Sequence, residues 1–229
     1  PDSGLRSLIA MENGDLYIVG ARGGIALRSQ GGWRALPSSS AMVNHALVTE
    51  QGELWLALEG QGIVYRASET ATEQKLLDKL SAYRLLQDKT GVIWAATSDG
   101  LYQIENKQVS KINEDSGLPN ASVFTLLLTE SGTLIVGTEK GAWQKKNNKF
   151  VAINPVLNNE SIASLLEDAQ GDLWFGTINK GVFRLSSLGL ENLAADDGLP
   201  NNRILSLLLD RETYNWVGQK GGVFARAGA

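Results

Sequence analysis

Short apolar runs alternate with glycine-marked breaks along the whole chain, and the same arrangement returns six times. In the stretch "IASLLEDAQGDLWFGTINKGVFRL" (162–185), one apolar run precedes Gly171 and a second, "DLWFGT", follows it. A third, "GVFRL", starts at Gly181, and a looser apolar pair, Leu190 and Leu193, closes the unit. Runs of four to six residues with period-two character, separated by Gly, Asp and Asn, are strand signals. Four strands therefore fit into about 40 residues.

Aligned on the residue before the aromatic, the copies are anchored at Gly14, Gly52, Gly91, Gly132, Gly171 and Thr213, 38 to 42 residues apart. Three positions on stand Tyr17, Trp55, Trp94, Ile135, Trp174 and Trp216. A second glycine follows nine or ten positions after each anchor, at Gly24, Gly62, Gly100, Gly141, Gly181 and Gly222. The segment "TEQKLLDKLSAY" (72–83) looks helical in isolation but occupies a fourth-strand slot, so it reads as an irregular strand with a long loop. Helical repeats of this length need apolar residues at i, i+3 and i+4 over two long segments, which are absent; leucine-rich repeats and β-helices have shorter periods. The expected fold is all-β: a β-propeller of four-stranded antiparallel blades, with residues 1–229 as one domain. Copy six stops after a third strand. Either the six copies form a six-bladed ring or they are an excised part of a seven-bladed one; the first is favoured, since a missing wedge exposes apolar blade faces.

Turn chemistry agrees with this reading. Asp88 and Asp168 stand three residues before a glycine, where a carboxylate accepts backbone hydrogen bonds and glycine supplies left-handed geometry. Asp210 holds the same slot, but Thr213 replaces the glycine, which predicts a turn built differently. The aromatic column reads as packing between neighbouring sheets. Adjacent Glu167 and Asp168 would face opposite sides of a strand and make poor acid–base partners.

Composition narrows the chemistry. Hydrophobic residues make up 43% of 229, enough for a core, and Gly (25) far outnumbers Pro (5). The net charge of −4, without basic runs, argues against nucleic acid or an anionic membrane as the main partner. The chain has no cysteine, which removes thiolate catalysis, disulfides and Cys-based zinc sites, and its one histidine, His45, removes multi-His metal sites. No cofactor or metal is expected. The chain opens on Pro1 without a leader-like segment and reads as a mature or excised piece.

One column breaks the apolar rule. Seven residues before each anchor, in the strand expected to be innermost, stand Ser7, His45, Arg84, Thr125, Ser164 and Ser206, each followed by two apolar residues. Inner strands line a propeller's axial channel, so these six form the candidate ligand-binding set. A water-filled channel with a merely solvated lining accounts for the pattern equally. His45 and Arg84 are the odd members, and linker residues Asn120, Asn201 and Asn202 lie at the same end.

The run from Ile162 to Leu185, with the linkers "DSGLPNASV" (115–123) and "DDGLPNNRI" (196–204), resembles the two-component regulator propeller repeat. The likeness extends over essentially the whole chain and is strongest in the third, fifth and sixth copies. It implies a periplasmic sensor region of a bacterial signalling protein that binds a small polar ligand or oligosaccharide. The effector, a histidine kinase or diguanylate cyclase, would lie across the membrane in the same protein, and pairing into a homodimer is compatible with that arrangement. The resemblance carries no catalytic residue with it. The alternatives are a passive protein-interaction scaffold and, on the strength of His45, a propeller enzyme of the streptogramin lyase type, which uses histidine with a bound metal.

Overall fold

In a computed structural model, residues 4–39, 41–219 and 222–227 are described. They form an all-β, six-bladed β-propeller fold with no α-helix among them. The chain divides into two compact units of three blades each, Pro1–Lys111 and Ile112–Ala229.

In the first unit, blade one is β1 (Leu5–Ala10), β2 (Leu16–Gly20), β3 (Ile25–Ser29) and β4 (Gly32–Leu36). Blade two is β5 (Val43–Val48), β6 (Leu54–Leu58), β7 (Gly62–Arg66) and β8 (Gln74–Leu77). Blade three is β9 (Ala82–Gln87), β10 (Ile93–Thr97), β11 (Gly100–Glu105) and β12 (Gln108–Lys111). In the second unit, β13 (Val123–Leu128), β14 (Leu134–Thr138), β15 (Gly141–Lys146) and β16 (Lys149–Ala152) form blade four. Blade five is β17 (Ile162–Glu167), β18 (Leu173–Thr177), β19 (Val182–Ser186) and β20 (Gly189–Leu193). Blade six has three strands, β21 (Ile204–Leu209), β22 (Tyr214–Gln219) and β23 (Gly222–Ala227). Every sheet is an antiparallel meander in chain order. The helix-like stretch at 72–83 contains a strand, β8, as the repeat register requires.

Within each unit, blades hold together by burying second-strand side chains against the next sheet. Trp55, Trp94 and Trp174 are almost completely buried, and Ile135 takes the same place in blade four. Each buried indole needs a partner for its N–H. Asp88 and Asp168 supply it, accepting from Trp94 Nε1 at 2.8 Å and Trp174 Nε1 at 2.7 Å. The other carboxylate oxygen of each caps the preceding turn, accepting the N–H groups of Thr90 and Val92 or of Gln170 and Asp172. One residue type thus fixes both the turn and the aromatic. For Asp88, partial burial opposes ionisation, but the hydrogen bonds from Thr90, Trp94 and Val92 outweigh it and lower its pKa.

In blade two the two tasks are divided: Thr49 Oγ1 caps the turn by accepting the Glu53 N–H at 3.2 Å, and the Glu53 carboxylate accepts from Trp55 Nε1 at 3.2 Å and holds Lys107 Nζ at 2.6 Å. Lys107 comes from the β11–β12 turn of blade three and lies 4.5 Å from the ring centroids of both Trp55 and Tyr65. This cation–π and ionic staple joins blades two and three.

At Gly62, Gly141 and Gly181 the second glycine of the repeat marks a close approach of backbone. A Cβ at Gly181 would lie 2.1 Å from the Leu193 carbonyl oxygen, and Gly181 has φ +76°. In the first copy it is Gly23, not Gly24, that takes the positive φ.

The turn at Thr213 corrects the expectation of a different construction. Asp210 accepts from Glu212 N–H and Tyr214 N–H, both at 2.9 Å, and from Trp216 Nε1, just as Asp168 does in its turn. Thr213 itself adopts φ +67°, the conformation that glycine holds at the other five anchors. A β-branched residue is strained there. Thr213→Gly is therefore expected to raise unfolding stability by about 1 kcal/mol, measured by urea denaturation; an unchanged midpoint would show that the turn carries no such strain.

Candidate functional site

The first strand of each sheet is an edge strand, and within each unit these first strands lie side by side. Edge strands carry backbone N–H groups that no ladder satisfies. Each innermost strand also bulges immediately before its polar-column residue, between Leu5 and Ser7, Val43 and His45, and at the equivalent point in the others.

Ser7, His45 and Arg84 stand on β1, β5 and β9 of the first unit. Ser7 is buried, and its Oγ accepts the Ala46 N–H at 3.0 Å. His45 Nδ1 accepts the Leu85 N–H at 3.3 Å. Both bonds have the same form: a column side chain accepts from the residue just after the column in the next blade. The bond at Nδ1 places the neutral ring's proton on Nε2. Burial, reinforced by the charge of Arg84, lowers the His45 pKa from 6.5 to about 3.

Arg84 differs. Its side chain is accessible to solvent, yet desolvation by the protein around it lowers its pKa. Among the described residues no hydrogen-bond or ion-pair partner stands against its guanidinium. Guanidinium has five donors and no acceptor, so Arg84 cannot do what Ser7 and His45 do.

In the second unit Thr125, Ser164 and Ser206 stand on β13, β17 and β21, opposite Gly137, Gly176 and Gly218. Thr125 and Ser164 are buried, and Ser164 Oγ has no protein partner. Ser206 is exposed. Of the linker asparagines, Asn202 Oδ1 accepts the Ala195 N–H and Asn201 Oδ1 accepts the Arg203 N–H, so both shape the linker itself. Asn120 is exposed and offers its carbonyl to Lys140. Glu167 and Asp168 point to separate tasks, the former accepting the Glu130 N–H from blade four at 2.7 Å. No group of three or more His, Asp or Glu side chains among the described residues is placed to hold a metal ion.

The edge-strand bonds were not evident from sequence, because they need the register between neighbouring sheets. Their only trace is that the column residues are small or polar.

A neutral His45 in the folded state has a consequence for acid stability. The folded pKa lies below the unfolded value, so its contribution is complete above pH 6.5 and is lost as pH falls towards 3. In that window stability should fall by up to about 1.4 kcal/mol per pH unit on account of this one group. Denaturation of wild type and His45→Gln at pH 4 to 7 should show a shallower slope for the variant; equal slopes would assign the acid sensitivity to other groups.

Comparison with known proteins follows this geometry. Residues 156–179, which span the linker into blade five with β17 and β18, match the family described as "Two component regulator propeller". The sequence matches no curated protein. Among solved structures, the extracellular domain of a one-component system from B. thetaiotaomicron aligns with TM-score 0.78 at 20% identity, over 97% of this chain and 32% of its own. The extracellular domain of a hybrid two-component system from the same organism aligns with TM-score 0.60 at 17% identity, over 98% and 38%. Virginiamycin B lyase from Staphylococcus aureus aligns with TM-score 0.74 at 13% identity, over 99% and 85%. The chain thus spans about a third of the length of the sensor structures that it matches. At these identities the likeness is one of fold, and that fold is common to sensor domains and lyases. The chain is a β-propeller in which residues 156–179 match the two-component regulator propeller repeat, and its fold resembles that of these extracellular sensor domains.

Proposed function

We propose that this chain is the extracytoplasmic, periplasmic ligand-sensing propeller of a bacterial signalling protein, and that it binds a small polar ligand or oligosaccharide without chemistry of its own. The observation that carries this reading is Arg84: a desolvated cation without a protein partner, on the strand beside a neutral His45. Arg84 reaches solvent and has no acceptor of its own, so its guanidinium is open to an acceptor brought by a ligand. The Arg84 guanidinium and His45 Nε2–H are both donors, which suits an acceptor-rich ligand such as a carboxylate-bearing sugar. Ser7, Thr125, Ser164 and Ser206 complete the proposed set. Ligand binding would act on a membrane-spanning effector in the same full-length protein, in proportion to its different affinities for two states of the propeller.

Catalysis is the second reading, since lyases share this fold and a histidine-to-alanine variant of the S. aureus enzyme is catalytically inactive. His45 is a poor counterpart. A histidine with a pKa of about 3 is a weak base at neutral pH, and its Nδ1 is already occupied by Leu85.

A thermal-shift screen of neutral and acidic oligosaccharides and of small carboxylates tests the sensor reading. A ligand at a hundred times its Kd should stabilise the chain by about 2.7 kcal/mol. Arg84→Ala should abolish the shift and Arg84→Lys retain part of it. Absence of any shift across the screen, or a shift unchanged in Arg84→Ala and His45→Ala, would exclude this site. Turnover of a streptogramin B substrate that depends on His45 would favour the lyase.

A further inference from the structure

Several polar departures from the repeat gather in the first unit, at the end where β5 and β9 begin. The bulges in these strands leave Asn44 and Tyr83 without a cross-strand partner, because the ladder passes from Val43 to His45 and from Ala82 to Arg84. A bulge re-aims the extra side chain away from the regular strand face. Arg6, Phe124, Ala163 and Leu205 hold this position in the other copies, so blade two alone places an amide there.

Asn44 uses that position to hold a carboxylate. Its Nδ2 donates to Glu59 Oε2 at 2.7 Å and to the Ala82 carbonyl of blade three at 3.0 Å. Ser81 Oγ, in the linker into blade three, donates to Glu59 Oε1 at 3.0 Å and accepts the Gly60 N–H at 3.1 Å. Both oxygens of Glu59 are thus fixed in direction by neutral donors. Glu59 is exposed, and no Lys or Arg among the described residues pairs with it. Elsewhere in the same unit Glu53, Glu69, Glu73, Asp78 and Asp99 each have a Lys or Arg partner. A carboxylate accepts at about four lone-pair sites, so two neutral donors leave Glu59 with its charge and with room for another donor. Burial and, after it, the Glu59 charge raise the pKa of Tyr83, which puts that phenol beside the carboxylate.

His45 follows Asn44 and Arg84 follows Tyr83, so the two pairs form one patch on neighbouring innermost strands. Asn44 to Ala82 and Leu85 to His45 tie the strands together at either end of it. Glu59 is held at the Asn44 end, and the charge of Arg84 acts on His45 at the other. One patch therefore carries an oriented anion and a cation that do not pair with each other. Fixed charges of both signs are complementary to a ligand that carries both.

We propose that the site at Arg84 takes a small zwitterion of the amino acid class, with its carboxylate on the Arg84 guanidinium and its ammonium on Glu59. His45 Nε2–H stands on the carboxylate side and the Tyr83 phenol on the ammonium side. A neutral sugar or a simple carboxylate would leave the Glu59 charge unused. The inference rests on the ligand reading of Arg84 and adds a second charge to it.

The chain has one histidine, so its ring signals in NMR report on this site alone during a titration of the 229-residue chain. The probes are the ω-amino acids from glycine to ε-aminocaproate, each beside the carboxylic acid and the amine of the same length. The amino acid that fits should bind roughly tenfold more tightly than its matching acid, and its length measures the span between the two charges. Glu59→Gln should remove that advantage and leave affinity for the acid within about twofold. Glu59→Asp, which keeps the charge on a shorter arm, should move the preference to a longer probe. Arg84→Ala should lose acid and amino acid alike. Equal binding of acids and amino acids, or an advantage unchanged in Glu59→Gln, would overturn the zwitterion and leave the Arg84 site standing. If no amino acid binds while a carboxylate-bearing sugar does so through Arg84, this inference fails and the sensor reading survives; if nothing binds through Arg84, both fail.

Discussion

The fold depends on one constraint: a twisted four-stranded sheet with apolar residues on both faces cannot stand alone in water. Within each unit a blade is completed by the one that follows it, whose innermost strand lies across its second strand. Trp55 and Trp174 are buried because the sheet of the next blade in their own unit lies over them. Stability is therefore a property of blade junctions more than of single blades, as in other repeat architectures. Fixing the aromatic to the turn through one Asp makes each junction face rigid before its neighbour arrives, since Asp88 and Asp168 hold turn and indole together.

Edge strands create a second demand. The innermost strand of each blade has N–H groups with no strand to receive them. In the first unit these are met by side chains of the preceding blade, Ser7 for Ala46 and His45 for Leu85. A residue at this column must carry an acceptor to do so, which explains a polar position within an otherwise apolar strand. The bulge before it lets the side chain lean over the neighbouring strand, and the glycines at 137, 176 and 218 leave room for that.

Most of this architecture was legible in the sequence because it is periodic. Strand number, turn positions, the three-stranded last blade and the packing role of the aromatics all follow from spacing. What spacing could not supply was anything dependent on a neighbour. Trp174 and Trp216 occupy the same place in their repeats and hydrogen-bond to the same type of Asp, yet one is buried and the other is not. Glu53 and Lys107 are 54 residues apart, and nothing local pairs them. Thr213 misled for another reason: losing the glycine suggested a changed turn, whereas the Asp210 bonds hold the backbone in place and threonine accepts the strained φ. As for the candidate column, its positions were legible, but the bonds that occupy Ser7 and His45 were not.

That division separates structural from functional departures in a repeat protein. A substitution that performs the same bond with different atoms, such as His45 for Ser, preserves the junction and needs no further purpose. His45 keeps its acceptor towards Leu85 and stays neutral, so its difference from serine is the extra donor at Nε2. Arg84 keeps nothing of the column's structural role, because guanidinium has no lone pair to offer an edge-strand N–H. It also adds a charge, exposed to solvent on one side, that lowers the pKa of its neighbour. A position that supplies no junction bond is the place in the column where selection for packing is an insufficient account. By the same criterion Ser164, though unpartnered at Oγ, is a small neutral residue whose cost is slight, and it carries far less weight than Arg84.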